Sequence, residues 1–275
     1  MALGTSRVGH QGFSVPAVVA GVSNMTEPEV AAGSAVAGTR TGHRVPISAG
    51  IVAAIASLTV ALMVPWPTTV LAAQRTEKST AVPVTMDWSR PVYYLPTNRR
   101  VVFITVDDGI DRRNRWLSLI SSTRTPVVMF PTGEMVTPTP RYWKLAAALG
   151  IRVENHTVSH PDLRWLSRYD QRWQICHQSI TVRAIAGRRA TLFRAPYGAW
   201  SSTTMWAARS CGLKYVVQWD TVVDHGNISY ARGGLQPGSI VLLHLRPDFE
   251  LDLQVTLAAA RQAGLTPALL TDYLR

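Results

Sequence analysis

The sequence predicts an α/β fold built on a parallel, barrel-like sheet of about seven strands. Three observations predict it. From residue 98 onward, short apolar runs alternate with segments of helical spacing. Each helical segment ends at a glycine, the residue that most readily adopts the left-handed conformation of a helix C-cap. Several apolar runs end in a polar or ionisable residue, the pattern of a barrel whose strand ends converge on one face.

The elements follow in order. Strands are expected over 101–106, 126–130, 151–154, 191–193, 214–219 and 239–243, with a further one near 265–270. Helices are expected over 141–149 before Gly150, 166–186 before Gly187, 202–211 before Gly212 and 252–263 before Gly264. In the second helix, Leu166, Tyr169, Trp173, Cys176 and Ile180 recur at three- and four-residue spacing and define the expected buried face.

The chain has 275 residues, enough for one sizeable domain plus extensions. Residues 1–44 lack either period and read as a disordered leader. Residues 45–73 carry no charge, and the apolar part, 47–64, approaches the roughly twenty residues that span a bilayer. Arg40, His43 and Arg44 precede it and favour an inside N-terminus with the remainder outside. It is either a transmembrane anchor, contacting the membrane through 45–64, or a cleaved signal ending near Thr69–Ala73. Both alternatives make the protein extracytoplasmic, anchored or secreted. Residues 74–97 read as a linker or edge segment, and 98–275 as the folded domain.

Two cysteines exclude a disulfide-dense miniprotein and a zinc ribbon of paired Cys-x-x-Cys motifs. Cys176 and Cys211 fall on separate expected helices, where they either form a disulfide or pack as small apolar residues. The net charge is +11, but the arginines are scattered, with pairs such as Arg99-Arg100 as the longest clusters. No basic stripe or reader motif points to nucleic acid. A basic exported protein is instead drawn to anionic cell-surface polymers.

The chemistry sits behind the strands. Asp107-Asp108-Gly109 follows VVFITV, and His156-Thr157-Val158-Ser159-His160 follows IRVEN. Arg194-Ala195-Pro196-Tyr197 follows TLF, Asp220 follows KYVVQW, and His244 follows SIVLL. His156 and His160, four residues apart, would share one face of a helical turn and could chelate a transition metal. The spacing is not that of a zinc peptidase, because Thr157 stands where the glutamate base would be. Adjacent carboxylates at the end of a buried strand are costly unless neutralised. A metal could take one and Arg194 the other; the alternative is a solvated turn. Two histidines and one aspartate would leave an open metal position for water. His244 is either a general acid or a core histidine.

These motifs, in this order, resemble the polysaccharide deacetylases, the NodB-homology group or carbohydrate esterase family four. The resemblance runs from about residue 100 to 275 and extends to exported actinobacterial members. It implies a distorted (β/α) barrel with fewer than eight full units. It implies Asp108, His156 and His160 as ligands of a divalent metal, zinc above others, and Asp107 as general base oriented by Arg194. The Tyr197 N–H would stabilise an oxyanion, and His244 would protonate the leaving group. Pro196, Trp219, Asp220, Asp224 and Leu242 would shape the substrate groove. The implied activity is removal of acetyl groups from an N-acetylated envelope polysaccharide, such as peptidoglycan or a chitin-like glycan; a monomer is expected. The alternatives are an O-acetyl esterase and a non-catalytic glycan-binding protein. The chain departs from the family where an Asp-Trp pair is usual: the segment reads Trp219-Asp220-Thr221-Val222-Val223-Asp224-His225. Asp220 or Asp224 would then tune His244. Val106, where phenylalanine is common, is a milder change.

Overall fold

The computed structural model describes residues 85–274. The expected leader, apolar segment and first part of the linker lie outside the described residues. Along the chain come β1 (Val101–Asp108), α1 (Asn114–Ser122), β2 (Val127–Pro131), α2 (Gly133–Val136), α3 (Pro140–Ala148) and β3 (Arg152–Val153). Then follow α4 (Arg168–Ala186), β4 (Leu192–Phe193), α5 (Ser202–Ser210), β5 (Tyr215–Val216), β6 (Thr221–Asp224) and β7 (Asn227–Tyr230). The last are β8 (Ile240–His244), α6 (Phe249–Gln262), β9 (Thr266–Pro267) and α7 (Leu270–Tyr273).

The main sheet runs β3-β2-β1-β8-β6-β7, with β9 added to the start of β1. Its pairs are parallel except for the β6–β7 hairpin. β4 and β5 form a separate parallel pair. Isolated bridges join the two sheets: Asn155 to Phe193 on one side, and Val92 to Val217 and Tyr94 to Ser239 on the other. The barrel is therefore distorted, because single bridges stand where a continuous sheet would close it. The edge segment 92–95 is a part of the wall. Leu95 is buried and its N–H donates to the Gly238 carbonyl at 2.9 Å. Gly238 has φ +82°, and a Cβ there would collide with the Leu95 carbonyl oxygen, so this approach requires glycine.

Strand alternation sorts the core into two layers. Phe103, Val128, Phe130, Leu192, Tyr215, Val217 and Ile240 pack together in one cluster, the barrel interior. Val102, Ile104, Val106, Val127, Met129, Val216, Val241 and Leu243 pack in the other, against the helices. Period two then places Thr105 and Asp107 on the Phe103 face, Arg194 on the Leu192 face, and Leu242 and His244 on the Ile240 face.

The helices depart from expectation in one instructive way. α4 starts where Ser167 caps Asp170 N–H and stops at Gly187, φ 67°. Its buried residues are Gln171, Ile175, Gln178, Val182 and Ile185. The expected apolar face is instead turned outward: Tyr169 is 81% exposed, Ile180 66% and Trp173 48%. Two glutamines on the inner face satisfy local polar groups, which the apolar spacing could not show: Gln178 donates to Pro131 O and Gln171 accepts from Thr204. The α1 helix and the β6–β7 hairpin were not expected from the sequence. The strand near 265–270 shrinks to β9, and Leu270 opens α7.

Cys176 on α4 and Cys211 after α5 form a disulfide across a sequence separation of 35. The loop entropy it removes from the unfolded chain corresponds to about 2–4 kcal/mol. Replacing both cysteines by serine is expected to lower the denaturant-unfolding free energy by that amount. A change below about 0.5 kcal/mol would place the stabilisation elsewhere.

Candidate active site

Four strand ends meet at one mouth of the barrel. β1 and β8 are in register there, with Asp107 opposite His244 and Asp107 also opposite Phe130 of β2. Asp107 is 3% exposed and Arg194 fully buried. Arg194 Nη1 donates to Asp107 Oδ1 at 2.7 Å and to Thr105 Oγ1 at 2.8 Å. Its Nη2 donates to Gln218 O at 3.1 Å, and its guanidinium lies over the Phe130 ring, 4.5 Å from the centroid. Burial pushes the guanidinium pKa down against the pull of Asp107. A buried cation is tolerable here because its donors and its charge are met.

Alternation would turn Asp108 away from Asp107's side. It does not, because Asp108 sits at φ 68° and breaks the pleat. Its Oδ1 lies 3.5 Å from His156 Nε2 and 3.3 Å from His160 Nε2. Gly109 follows at φ +87°, with the Trp143 ring where a Cβ would be. The two imidazoles do not share a helical turn, contrary to the spacing argument. Residues 156–160 form an irregular loop in which Thr157 (φ 69°) and His160 (φ 58°) are left-handed. Thr157 N–H donates to Asn155 Oδ1 at 3.0 Å, and His160 N–H to Thr157 Oγ1 at 3.1 Å. Gln174 of α4 accepts Val158 and Ser159 N–H. These side-chain bonds replace the helix, and they bring the rings to 4.9 Å between centroids. Left-handed residues of this kind cluster where a site over-determines the backbone.

Asp108, His156 and His160 each offer a ligand atom, all within 4.8 Å of one another. The donor set fits a divalent transition ion. His156 Nδ1 bonds the Arg194 carbonyl at 2.9 Å, which leaves Nε2 free to ligate. Asp108 Oδ1 is buried without a hydrogen-bond partner, an orphaned acceptor of the sort a cation would satisfy. Burial raises the Asp108 pKa, but the neighbouring histidines, His156 first, pull it down to about 2. His156 is pushed up despite its own desolvation, chiefly by the charge of Asp107, and His160 is pushed down by burial and by His156.

His244 is half-buried, and burial pushes its pKa down against the pull of Asp107. Its buried Nδ1 has no hydrogen-bond partner. The two aspartates expected to tune it differ. Asp220 does not do so: its oxygens accept from Ile240 N–H at 3.0 Å, Ser239 Oγ at 3.0 Å and Arg232 Nη1 at 3.1 Å, which braces β6 and the start of β8. Asp224 acts on His244 electrostatically while paired with Arg246 at 2.9 Å. His225 is exposed and pairs with Asp248. Tyr197 is left-handed, φ 59°, and 69% exposed, with its ring 4.5 Å from that of His160. Pro196 is buried, Leu242 lies two residues below His244 on the inner face, and the Trp219 ring would lie 3.2 Å from a Cβ on Gly198.

Residues that sequence reasoning missed are supports. Thr105 relays Arg194 to the Val241 carbonyl, and Asn155 pins Thr157 while donating to Ile175 O and Ser179 Oγ. Fully buried Glu154 accepts from Thr191 N–H, Leu192 N–H and Arg188. A polar residue adjoining an apolar strand was the available signal.

Residues 95–216 match the family model described as polysaccharide deacetylase. An uncharacterized protein of Streptomyces coelicolor is 39% identical over 155 residues, covering 54% of this chain and 61% of that protein. A chitooligosaccharide deacetylase of Sinorhizobium fredii is 29% identical over 174 residues, covering 58% and 78%. Among solved structures, a carbohydrate esterase family 4 pseudoenzyme from Bacillus anthracis superposes with TM-score 0.60 at 20% identity, covering 68% of this chain and 69% of that one. The fold is thus that of family 4 carbohydrate esterases.

Removing Arg194 would strand the buried Asp107 carboxylate. Arg194→Ala is expected to cost about 3–5 kcal/mol of stability in denaturant unfolding. A loss under about 1 kcal/mol would mean the pair is not the brace described.

Proposed function

We propose that this protein is a metal-dependent deacetylase acting on an N-acetylated polysaccharide of the cell envelope, peptidoglycan or a chitin-like glycan. The observation that carries the reading is the convergence of Asp107, Asp108, His156, His160 and Arg194 at one barrel mouth, with an orphaned Asp108 oxygen between two imidazoles. The relative named a chitooligosaccharide deacetylase supports the substrate class. The Cys176–Cys211 disulfide supports an extracytoplasmic site of action, anchored through 45–64 or secreted.

Asp108, His156 and His160 would hold the metal, zinc in this reading, which supplies a Lewis acid for the acetyl carbonyl and lowers the pKa of water. Asp107 takes the proton of the attacking water. Arg194 holds that carboxylate by one oxygen, leaving Oδ2 directed to the site, 3.6 Å from His156 Nε2. The Tyr197 N–H would meet the charge developing on the carbonyl oxygen. His244 delivers a proton to the departing nitrogen, which leaves poorly as an amide anion. Acid and base lie on adjacent strands in register, so the scissile bond fits between them.

The unpartnered Nδ1 leaves the protonated form of His244 without an acceptor to stabilise it. That observation favours, as a second reading, O-acetyl esters, whose alcohol leaves more easily than an amine.

Acetate release from peptidoglycan, chitin oligomers and acetylated xylan by the full chain tests both readings. Asp107→Asn and His244→Ala are each expected to lower turnover about 10²- to 10⁴-fold with the fold retained. Retained activity in both variants would overturn the assignment. His156→Ala is expected to lose bound zinc as measured by metal analysis, and chelator should abolish wild-type activity until zinc is restored. Activity indifferent to chelator would sink the metal-dependent mechanism.

A further inference from the structure

The outer face of α4 carries an apolar stripe that the described residues leave open. Tyr169, Trp173 and Ile180 are all exposed. At ~100° per residue they fall within roughly 40° of arc, opposite the inner face of Gln171, Ile175, Gln178, Val182 and Ile185. A contiguous patch of large exposed apolar side chains marks an interaction surface, where single ones would not. Gln174, which holds the histidine loop, projects from another side of the helix, so the stripe is separate from the candidate active site.

Cations flank the stripe. Arg172 and Arg183 follow roughly 40–60° round the helix from Tyr169, on the side that bears Cys176. Both are exposed, and among the described residues neither has an ion-pair partner. The helix holds one acidic residue, Asp170, whose carboxylate accepts from the Ser167 hydroxyl at the N-cap. Next to the stripe is a cavity of about 310 Å³ lined by Ile180, Arg183, Arg189 and Ser179, among others. Its two guanidinium groups suit a phosphate. An apolar stripe beside a phosphate-sized, doubly cationic cavity matches an amphipathic anion. Tyrosine and tryptophan rings concentrate at the boundary between lipid and water, and arginine stems lie along apolar surface while their heads reach the phosphates. A purely apolar protein partner would leave the arginines without counter-charge.

We propose that Tyr169, Trp173 and Ile180, with Arg172, Arg183 and Arg189, dock the domain on a bilayer that carries anionic phospholipid. The inference is independent of the deacetylase chemistry. It gives the folded domain its own contact with the membrane, whether the apolar segment 45–64 is retained or removed. If that segment is retained, a coil as long as 65–84 has a reach of about 25 Å, which keeps the stripe close to the lipid.

The test places the full chain with vesicles of phosphatidylcholine alone, or of phosphatidylcholine mixed equally with phosphatidylglycerol. Side-chain exposure is read by hydroxyl-radical oxidation and mass spectrometry, so that insertion of 45–64 does not itself register. Oxidation of Tyr169 and Trp173 should fall about tenfold on the anionic vesicles relative to the zwitterionic ones, while Tyr94 of segment 92–95 keeps its rate. Ile180→Ser should remove most of that protection. Arg172→Gln combined with Arg183→Gln should do the same, since each cation near an anionic surface is worth about fivefold in binding. Arg172→Lys with Arg183→Lys keeps the charge and should keep the protection. The substituted side chains are exposed, so thermal unfolding should be unaltered. Equal protection on both kinds of vesicle, protection indifferent to the glutamine pair, or no association with vesicles overturns the docking face. Sedimentation with vesicles while Tyr169 and Trp173 stay fully reactive overturns it too, and leaves the 45–64 anchor standing. Protection by soluble poly(glycerol phosphate) that Ile180→Ser leaves intact overturns the bilayer in favour of an anionic polymer. Acetate release enters none of these outcomes, so the deacetylase reading stands or falls apart from them.

Discussion

The buried contact between Arg194 and Asp107 is the constraint on which the rest of the molecule depends. One guanidinium reaches a carboxylate and a hydroxyl on β1 and a backbone carbonyl beyond β5, while its own carbonyl receives His156 Nδ1. Four segments of wall are therefore tied at one point. The same contact sets the direction of Asp107 and the free nitrogen of His156. A buried charge network is a weak source of stability, because desolvation offsets much of the attraction. Its value here is orientation: the barrel cannot shift its strands at this level without stranding a charge.

Backbone strain is concentrated in the same place. Asp108, Thr157, His160 and Tyr197 are all left-handed, and all lie in the segments that build the site. Each such residue is uncommon, and a β-branched one such as Thr157 is costlier still. The surrounding bonds from Asn155 and Gln174 hold the histidine loop in that shape. Two functions of polar burial thus meet at the barrel mouth: Arg194 aligns Asp107, and the loop supports align the imidazoles. His244 lacks such support at Nδ1.

The wall itself is held unevenly. β1 has partners on both sides along its length, whereas the β4–β5 pair joins the remainder through isolated bridges. The disulfide between Cys176 and Cys211 ties the helices that flank this weaker side. Segment 92–95 completes the opposite joint, and Gly238 allows its close approach. A region readable as linker by its prolines therefore contributes to the wall.

The order of strands and the polar residue that ends each were legible in the sequence, because period-two apolar runs and the ionisable groups behind them are local signals. So were Asp107, Asp108, His156, His160, Arg194 and His244 as a group. Three things were not. The histidine pair was attributed to a helical turn, yet side-chain bonds from Asn155 and Thr157 impose a loop. The apolar stripe of α4 was assigned to the core, yet Gln171 and Gln178 occupy the inner face because buried polar partners await them. The resemblance leaves Asp220 and Asp224 as alternatives, yet one is consumed by bracing β8 and the other reaches His244 only through space. Local sequence determined which residues could do chemistry, since strand ends and residue types are properties of short segments. Tertiary structure alone decided which carboxylate faces which cation, since hydrogen bonds and charges across the barrel depend on residues tens of positions apart.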